Sequence, residues 1–199
     1  ELAAESYIKQ FDLTEKSIVV DIGSNDGIAL KPFVDRGIQV VGVEPAGNIA
    51  KIANSNGINT INAYFDCETM GAIHDKYGDV DLVTASNVFA HADELKQIVK
   101  QAFFLLKPCG VFIVEIKYLF DTIKDLTFDN IYHEHVNYWS VTTIKSFFAD
   151  FSLILYKVEH IDTHGGSIRC YVRRSNSYLT EFDNSVFDFI GNEFDQEIH

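Results

Sequence analysis

Short apolar runs that alternate with helix-like segments constrain the fold of this chain more than any other feature. They fill the first two-thirds of the sequence as SIVVDIG (17–23), IQVVGVE (38–44), GINTINA (57–63), DVDLVTAS (79–86) and VFIVEI (111–116). Strands that are apolar on both faces and separated by helices are typical of a parallel sheet covered on both sides. We therefore expect a doubly wound α/β fold, with ligands bound at the carboxyl ends of the strands.

The segments between these runs carry helix signals. AGNIAKIANSNG (46–57) has helical spacing and stops at Gly57, a natural helix end. A further helix is expected from Asp66 to Tyr77, and Asp93 is expected to cap a helix over ELKQIVKQAFFLL. LKPCG is then expected to turn the chain into the last apolar run.

The pattern changes after residue 117. A long connection that includes FDNIYHEHVNYWS (128–140) ends at Ser140, which is expected to cap a helix over VTTIKSFFADF. LILYKVEHI (153–161) and SIRCYVRRS (167–175) flank THGG and predict an antiparallel strand pair. The expected sheet is thus mostly parallel and ends in an antiparallel C-terminal pair.

The segment 178–199 is expected to form an acidic amphipathic helix. It contains no Lys or Arg, and its apolar stripe comprises Phe182, Val186, Phe189, Ile190 and Phe194. Such a stripe needs a cover, and three covers remain open. They are the surface of this domain, a second copy of the chain through self-association, and further polypeptide.

Composition narrows the class of protein. The 199-residue chain has a formal net charge of −13, which disfavours binding to nucleic acids or anionic membranes. Its three cysteines are scattered without a CxxC pair, which indicates reduced thiols and no zinc cluster. No apolar run approaches the ~20 residues of a membrane span, and the charged start ELAAESYIKQ does not resemble a signal peptide. We expect a soluble, cytoplasmic protein.

The stretch VVDIGSNDG (19–27) predicts a nucleoside-binding loop after the first strand. Gly23 and Gly27 let the backbone pass close to a ligand, and Glu44 ends the next strand, where a carboxylate can accept ribose hydroxyls. The dinucleotide pattern GxGxxG is absent, because Asn25 occupies its middle position. The acidic residues of the loop suit a ligand with sulfonium and ammonium groups better than a pyrophosphate. Alternatively, the glycines only form a tight strand–helix turn.

DIGSNDG, GVEP, DLVTASNVFAH and LLKPCGVFIVE, in this order over about 100 residues, resemble the motifs of class I S-adenosylmethionine-dependent methyltransferases. The resemblance implies a Rossmann-like fold, S-adenosylmethionine as cofactor and S-adenosylhomocysteine as product. It also implies that Glu44 holds the ribose, that residues 63–65 flank the adenine and that Asn87 lies beside the methionine portion. The full implied set of cofactor-binding residues is Asp21, Gly23, Ser24, Asn25, Gly27, Glu44, Pro45, Ala63, Tyr64, Phe65 and Asn87.

A narrower resemblance covers the later part of the chain. FDNIYHEHVNYWS and HGGSIRCYVRR are similar to signature segments of the sugar-nucleotide C-methyltransferases of deoxysugar biosynthesis. That family methylates a carbon next to the ketone of a nucleotide-linked keto-deoxysugar. Its motif FD-x-I-Y-x-E-H is filled here, which implies that His135 is the base and that Tyr132 and Glu134 lie close to it.

The chemistry gives an independent reason for these residue types. A carbon must lose a proton and become an enolate before it can be methylated, so a base must reach it. Histidine suits this role because its pKa lies near neutrality. The candidates for the substrate-binding cleft are His91, Tyr118, His164 and Arg169.

Other interpretations of FDNIYHEHVNYWS (128–140), the histidine segment, remain open. His133 and His135 share a face if the segment is extended, so a metal site with Glu134 is conceivable. No third ligand is placed by spacing and this chemistry needs no metal, so we expect none. Alternatively, Tyr132 and His135 only satisfy buried hydrogen bonds in a long loop.

The resemblance also implies a domain organisation. Full members of the family contain a cysteine-rich zinc module, the methyltransferase domain and a further α/β domain, and the outer modules help to hold the nucleotide sugar. We expect residues 1–177 to form the methyltransferase domain and 178–199 to begin the C-terminal one. The alternatives for function are O- or N-methylation of another small molecule and a non-catalytic cofactor-binding module.

Overall fold

A single mixed sheet forms the centre of the molecule. The computed structural model describes residues 2–127, 129, 131, 133, 135–162, 165–178 and 182–195. Within this part the strands are β1 Ile18–Ile22, β2 Gln39–Val43, β3 Thr60–Ile61, β4 Val80–Ser86, β5 Leu106–Lys117, β6 Leu153–Ile161 and β7 Ser167–Arg174. Their spatial order is β3-β2-β1-β4-β5-β7-β6. The first five strands are parallel, whereas β7 runs antiparallel to β5 and to β6.

Helices cover both faces of this sheet. They are α1 Leu2–Gln10, α2 Lys31–Val34, α3 Gly47–Ser55, α4 Cys67–Tyr77, α5 Leu95–Leu105, α6 Leu119–Lys124, α7 Val141–Ala149 and α8 Ser185–Asp195. Apolar side chains of α1, α2 and α3 form one core with the sheet, and those of α4, α5, α7 and α8 form the other. The predicted doubly wound α/β fold with an antiparallel C-terminal pair is confirmed.

Two helix signals in the sequence correspond to observed ends. Gly57 follows α3 and has a φ of +81°, a conformation that glycine adopts readily. Ser140 caps α7: its side chain accepts from the Thr143 backbone N–H, and the Thr143 hydroxyl accepts from the Ser140 N–H.

Two local predictions were wrong in detail. Asp93 is not the cap of α5, because the first backbone hydrogen bonds of that helix run from Gln97 and Ile98 to the Glu94 carbonyl. LKPCG is not a turn before a strand, because β5 already begins at Leu106. The irregularity lies within β5, where residues 107–110 bulge between its pairs with Val80 and Leu82 of β4.

The acidic tail docks partly on the domain that precedes it. Val186 is 2% exposed, and Phe189 and Ile190 pack against the core, so the domain itself covers part of the stripe. Phe182 and Phe194 are more than half exposed (57% and 54%). The division at residue 177 stays a prediction. Across the described ranges, no helix has both the length and the apolar character that crossing a membrane requires.

Candidate active site

A cavity of about 920 Å³ opens at the carboxyl ends of the parallel strands. Of the predicted cofactor-binding residues, its walls contain Gly23, Glu44, Pro45, Ala63, Tyr64, Phe65 and Asn87. The strand register explains this meeting, because Ile22 pairs with Val43 on one side and with Ala85 on the other. The residues that follow these three therefore emerge side by side at the edge of the sheet.

Gly23 opens the predicted nucleoside-binding loop in a conformation that other residues resist. Its φ is +68°, and a Cβ atom there would lie only 2.8 Å from the Cγ2 atom of Val88. Its N–H donates to the Val43 carbonyl (2.8 Å), which ties the loop to β2. A side chain at position 23 would therefore occupy the cavity wall and displace its neighbours.

The Glu44 carboxylate is fixed by backbone donors. Oε2 accepts from the Asn25 N–H (3.0 Å) and Oε1 accepts from the Ala46 N–H (2.8 Å). The side chain is largely buried at 9% exposure, yet it contributes to the cavity wall. A carboxylate oxygen can accept more than one hydrogen bond, so both oxygens can still receive ligand hydroxyls.

The sequence predicted the two aromatic residues at this part of the cavity, Tyr64 and Phe65, but not the acidic residue that follows them. Tyr64 is 75% exposed at the cavity, whereas Phe65 is 6% exposed and belongs to the core. Asp66 also lines the cavity, although the sequence indicated it only as the start of a helix. The Thr69 backbone N–H donates to its carboxylate (2.9 Å) and holds the pKa of Asp66 below its usual value.

The charge of the wall limits which ligand fits. Carboxylates are contributed by Glu44, Asp66, Asp93 and Glu94, and no Lys or Arg lies among the lining residues that the structure describes. A pyrophosphate would meet repulsion here, whereas a ligand with ammonium and sulfonium charges would be attracted. The cavity volume, the glycine at its floor and the exposed tyrosine at its rim fit a nucleoside with a cationic tail.

Four predicted cofactor-binding residues of this loop, Asp21, Ser24, Asn25 and Gly27, do not line the cavity. Asp21 and Ser24 are buried at 5% and 3% exposure, and Asn25 donates its backbone N–H to Glu44. Gly27 has a φ of +81°, and a Cβ atom there would lie 2.8 Å from Ile58. The contacts of these residues shape the loop, so their predicted direct contact with a cofactor stays a prediction.

The buried Asp21 carboxyl group has an unusually high pKa. Burial raises its pKa to about 7, and the negative charges of Glu115 and Glu44 add to this effect. The Thr84 hydroxyl donates to Oδ1 (2.6 Å) and acts in the opposite direction. At neutral pH the carboxyl group is therefore poised between its protonated and ionised forms.

Two histidines from distant parts of the chain meet at the cavity. His91 lines the wall, and the centroid of its ring lies 4.7 Å from that of His135, at an angle of 56° between the planes. The Val136 N–H donates to the Ala90 carbonyl (2.9 Å), and Asn137 Nδ2 donates to the Ala92 carbonyl (3.2 Å). These bonds hold the histidine segment beside the segment that carries His91.

The other residues of the histidine motif have different placements. Tyr138 packs edge-on against His135, with ring centroids 6.4 Å apart, and His133 is exposed. Tyr132, Glu134 and His164 lie outside the described residues, so their predicted roles stay predictions.

Two of the predicted substrate-binding residues make contacts within the protein. Tyr118 is 3% exposed and donates its hydroxyl to Glu193 in α8 (2.9 Å). Arg169 donates Nε to Glu115 (2.7 Å) and Nη1 to Glu159 (3.3 Å). Neither side chain lines the cavity described above. Their role in substrate binding stays a prediction.

Residues 2–157 match a protein-family model described as a methyltransferase domain. The chain belongs to this family. The predicted class, a class I S-adenosylmethionine-dependent methyltransferase, is confirmed, and the β3-β2-β1-β4-β5-β7-β6 sheet is consistent with it.

Relatives support the same assignment. The chain is 38% identical over 161 residues to the C-methyltransferase NovU of Streptomyces niveus, which covers 81% of this chain and 38% of NovU. It is 28% identical over 118 residues to a ubiquinone biosynthesis O-methyltransferase of Rhodopseudomonas palustris strain BisB5, covering 55% of this chain and 46% of that enzyme. The chain thus spans less than half the length of either relative.

The solved structure of magnesium protoporphyrin IX methyltransferase (ChlM) from Synechocystis, with bound S-adenosylhomocysteine, has a similar fold. The TM-score is 0.68 at 14% sequence identity, with 87% of this chain and 81% of that chain covered. At this identity the similarity concerns the fold.

Gly23→Ala tests the role of the loop. We expect it to weaken S-adenosylhomocysteine binding by about tenfold or more, because the new Cβ atom enters the cavity wall and a positive φ costs ~1–2 kcal/mol. Gly57→Ala is the matched control, since Gly57 also has a positive φ but no atom within 4 Å of its Cβ position. Calorimetric titration of both variants measures the effect, and equal affinities would contradict it.

Asp21→Asn tests the buried carboxyl group. The folded-state pKa of about 7 exceeds the ordinary value of 3.8, so the stability contributed by the neutral form is present below about pH 4 and is lost as the pH rises through 7. Relative to the wild type, the free energy of unfolding of the variant should rise by about 2–3 kcal/mol between pH 5 and pH 8. Urea unfolding at several pH values measures this. A difference that does not change with pH would show that Asp21 is ionised throughout.

Proposed function

We propose that this domain uses S-adenosylmethionine to methylate a carbon next to the ketone of a nucleotide-linked keto-deoxysugar. The observation that carries the proposal is the contact of His135 with His91 at the wall of the acidic cavity. The name of NovU, a C-methyltransferase 38% identical to this chain, supports transfer to carbon.

Different residues of the cavity would hold different parts of the cofactor. Glu44 would accept the ribose hydroxyls, and Tyr64 would lie against the adenine. The acidic wall, which includes Asp93, would attract the charged methionine end near Gly23. When bound, S-adenosylmethionine supplies an electrophilic methyl group.

The histidine pair would prepare the substrate carbon. His135 takes a proton from the carbon next to the ketone, which leaves an enolate with a nucleophilic carbon. His91 is close enough to orient the His135 ring or to donate a hydrogen bond to the enolate oxygen. Tyr132 and Glu134 would assist if they lie near, as the family resemblance implies.

A second candidate function is methyl transfer to oxygen. The relatives at 26–31% identity are ubiquinone biosynthesis O-methyltransferases, and they match about half of this chain. A hydroxyl acceptor needs only a weak base and good alignment. The paired histidines favour carbon, because proton removal from carbon demands a positioned base.

We also propose a substrate and a cellular location for this domain. A small nucleotide sugar is the proposed substrate, and the cytoplasm is the proposed location because the dispersed cysteines are typical of reduced thiols. Since the chain spans 38% of NovU, regions outside this domain would share in holding the substrate of the whole protein.

Proton exchange tests the base without requiring methyl transfer. In deuterated water with S-adenosylhomocysteine, the wild type should exchange the proton next to the ketone of a nucleotide-linked keto-deoxysugar, as followed by proton NMR. His135→Asn should slow this exchange by about 100-fold or more. Its affinity for S-adenosylhomocysteine should stay within about twofold, because His135 is not itself among the residues that line the cavity.

His133→Asn is the matched control, because His133 lies two positions away and is exposed. It should exchange at the wild-type rate. Undiminished exchange in His135→Asn would refute the base assignment. A wild type that exchanges no proton but methylates a phenolic hydroxyl would favour the oxygen alternative instead.

A further inference from the structure

Glu193 is a fully buried carboxylate that belongs to the tail helix α8 (0% exposed). Oε1 accepts from the Val141 N–H (2.6 Å) and from the Tyr118 hydroxyl (2.9 Å). Oε2 accepts from the N–H (3.0 Å) and the hydroxyl (2.5 Å) of Thr142. Both oxygens thus have two donors each.

These contacts complete the beginning of helix α7. The first N–H groups of a helix have no partner within it, and here Glu193 takes those of Val141 and Thr142. The Ser140 side chain takes the N–H of Thr143. A carboxylate at a helix N-terminus also interacts favourably with the helix dipole. A buried carboxylate is costly unless it is fully hydrogen-bonded, so its place is strongly specified.

Glu193 also holds the strand end that lies beside α7. Tyr118 directly follows β5 and forms an isolated parallel bridge with Trp139. The Leu119 N–H donates to the Trp139 carbonyl (3.0 Å). The carboxylate of Glu193 therefore joins the end of β5 to the point where the histidine segment enters α7.

The same segment leads back to His135 within a few residues. Trp139 Nε1 donates to the Phe89 carbonyl (3.4 Å), and the Val136 N–H donates to the Ala90 carbonyl. The segment is therefore held by residues 89–92 along its length and by Glu193 at its end. Loss of the Glu193 contacts would weaken the attachment at this end of the segment, where the bond from the Leu119 N–H to the Trp139 carbonyl would remain.

We propose that Glu193 is a positioning residue that fixes the 135–142 segment, and with it the His135 ring beside His91. The acidic tail helix α8 then supports the active site through this segment. The inference about His135 rests on the proposed base function, whereas the inference about the segment rests only on these contacts.

Two variants and a control test this role. Glu193→Gln keeps the size of the side chain but places an NH₂ group against hydrogen-bond donors, and Glu193→Ala removes all four contacts. Asp195→Asn is the matched control, because Asp195 is an exposed acid in the same helix. Each protein is studied well below its own unfolding midpoint, so that all are folded.

Trp139 provides a readout that is independent of activity. It is the single tryptophan of the chain, so emission excited selectively at tryptophan, without the contribution of the tyrosines, reports on this segment. Both Glu193 variants should shift its emission to longer wavelength and increase its quenching by acrylamide. They should slow the proton exchange by ~10–100-fold, since small misplacements of a reacting group are costly. Affinity for S-adenosylhomocysteine should stay within about twofold, and the control should match the wild type.

The outcomes separate this inference from the proposed function. Wild-type emission and exchange in both variants would overturn the positioning role. Equal losses of exchange and cofactor affinity would also overturn it, because they would indicate a general loss of structure. If the wild type exchanges no proton, the base function fails, and the Trp139 signal alone decides whether Glu193 holds the segment.

Discussion

The parallel pairing of β1 with both β2 and β4 is the constraint on which the site depends. It aligns Ile22 with Val43 and Ala85, so the chain leaves three neighbouring strands at the same edge. A glycine loop, a carboxylate and the β4–α5 connection then follow at adjacent places. Helices on both faces keep the strands buried, which leaves this edge as the natural place for a ligand.

Two carboxyl groups near this edge are stabilised differently, one by an ion pair and the other by a hydrogen bond from a hydroxyl group. Glu115 has a cationic partner, Arg169, which also contacts Glu159. Asp21 is buried nearby, has the Thr84 hydroxyl as its donor and has a raised pKa. The cavity wall itself is acidic, so its charge favours a cationic ligand over a pyrophosphate.

Much of the fold was predictable from the sequence because its signals are local. Apolar runs predicted the strands, and Ser140 and Gly57 predicted helix boundaries. The carboxylate at position 44 marked the end of the second strand. The contact of His91 with His135 could not be derived from spacing, since it depends on backbone bonds between segments over forty positions apart.

Other features required the three-dimensional structure for similar reasons. The bulge in β5 reflects its register against β4 rather than the turn preference of its own residues. Tyr118 was expected in the substrate cleft, but its hydroxyl donates a hydrogen bond to the carboxylate of Glu193, 75 positions later in the chain. The sequence signal for that carboxylate was only an acidic residue in an amphipathic helix.

The most direct test of this description is calorimetric titration of the folded protein with S-adenosylhomocysteine, with NAD as the comparison. An acidic cavity built around Gly23 and Glu44 predicts micromolar binding of the first ligand and no binding of the second. Binding of NAD, or heat from neither ligand in a protein shown to be folded, would contradict the assignment of the cavity as the cofactor site.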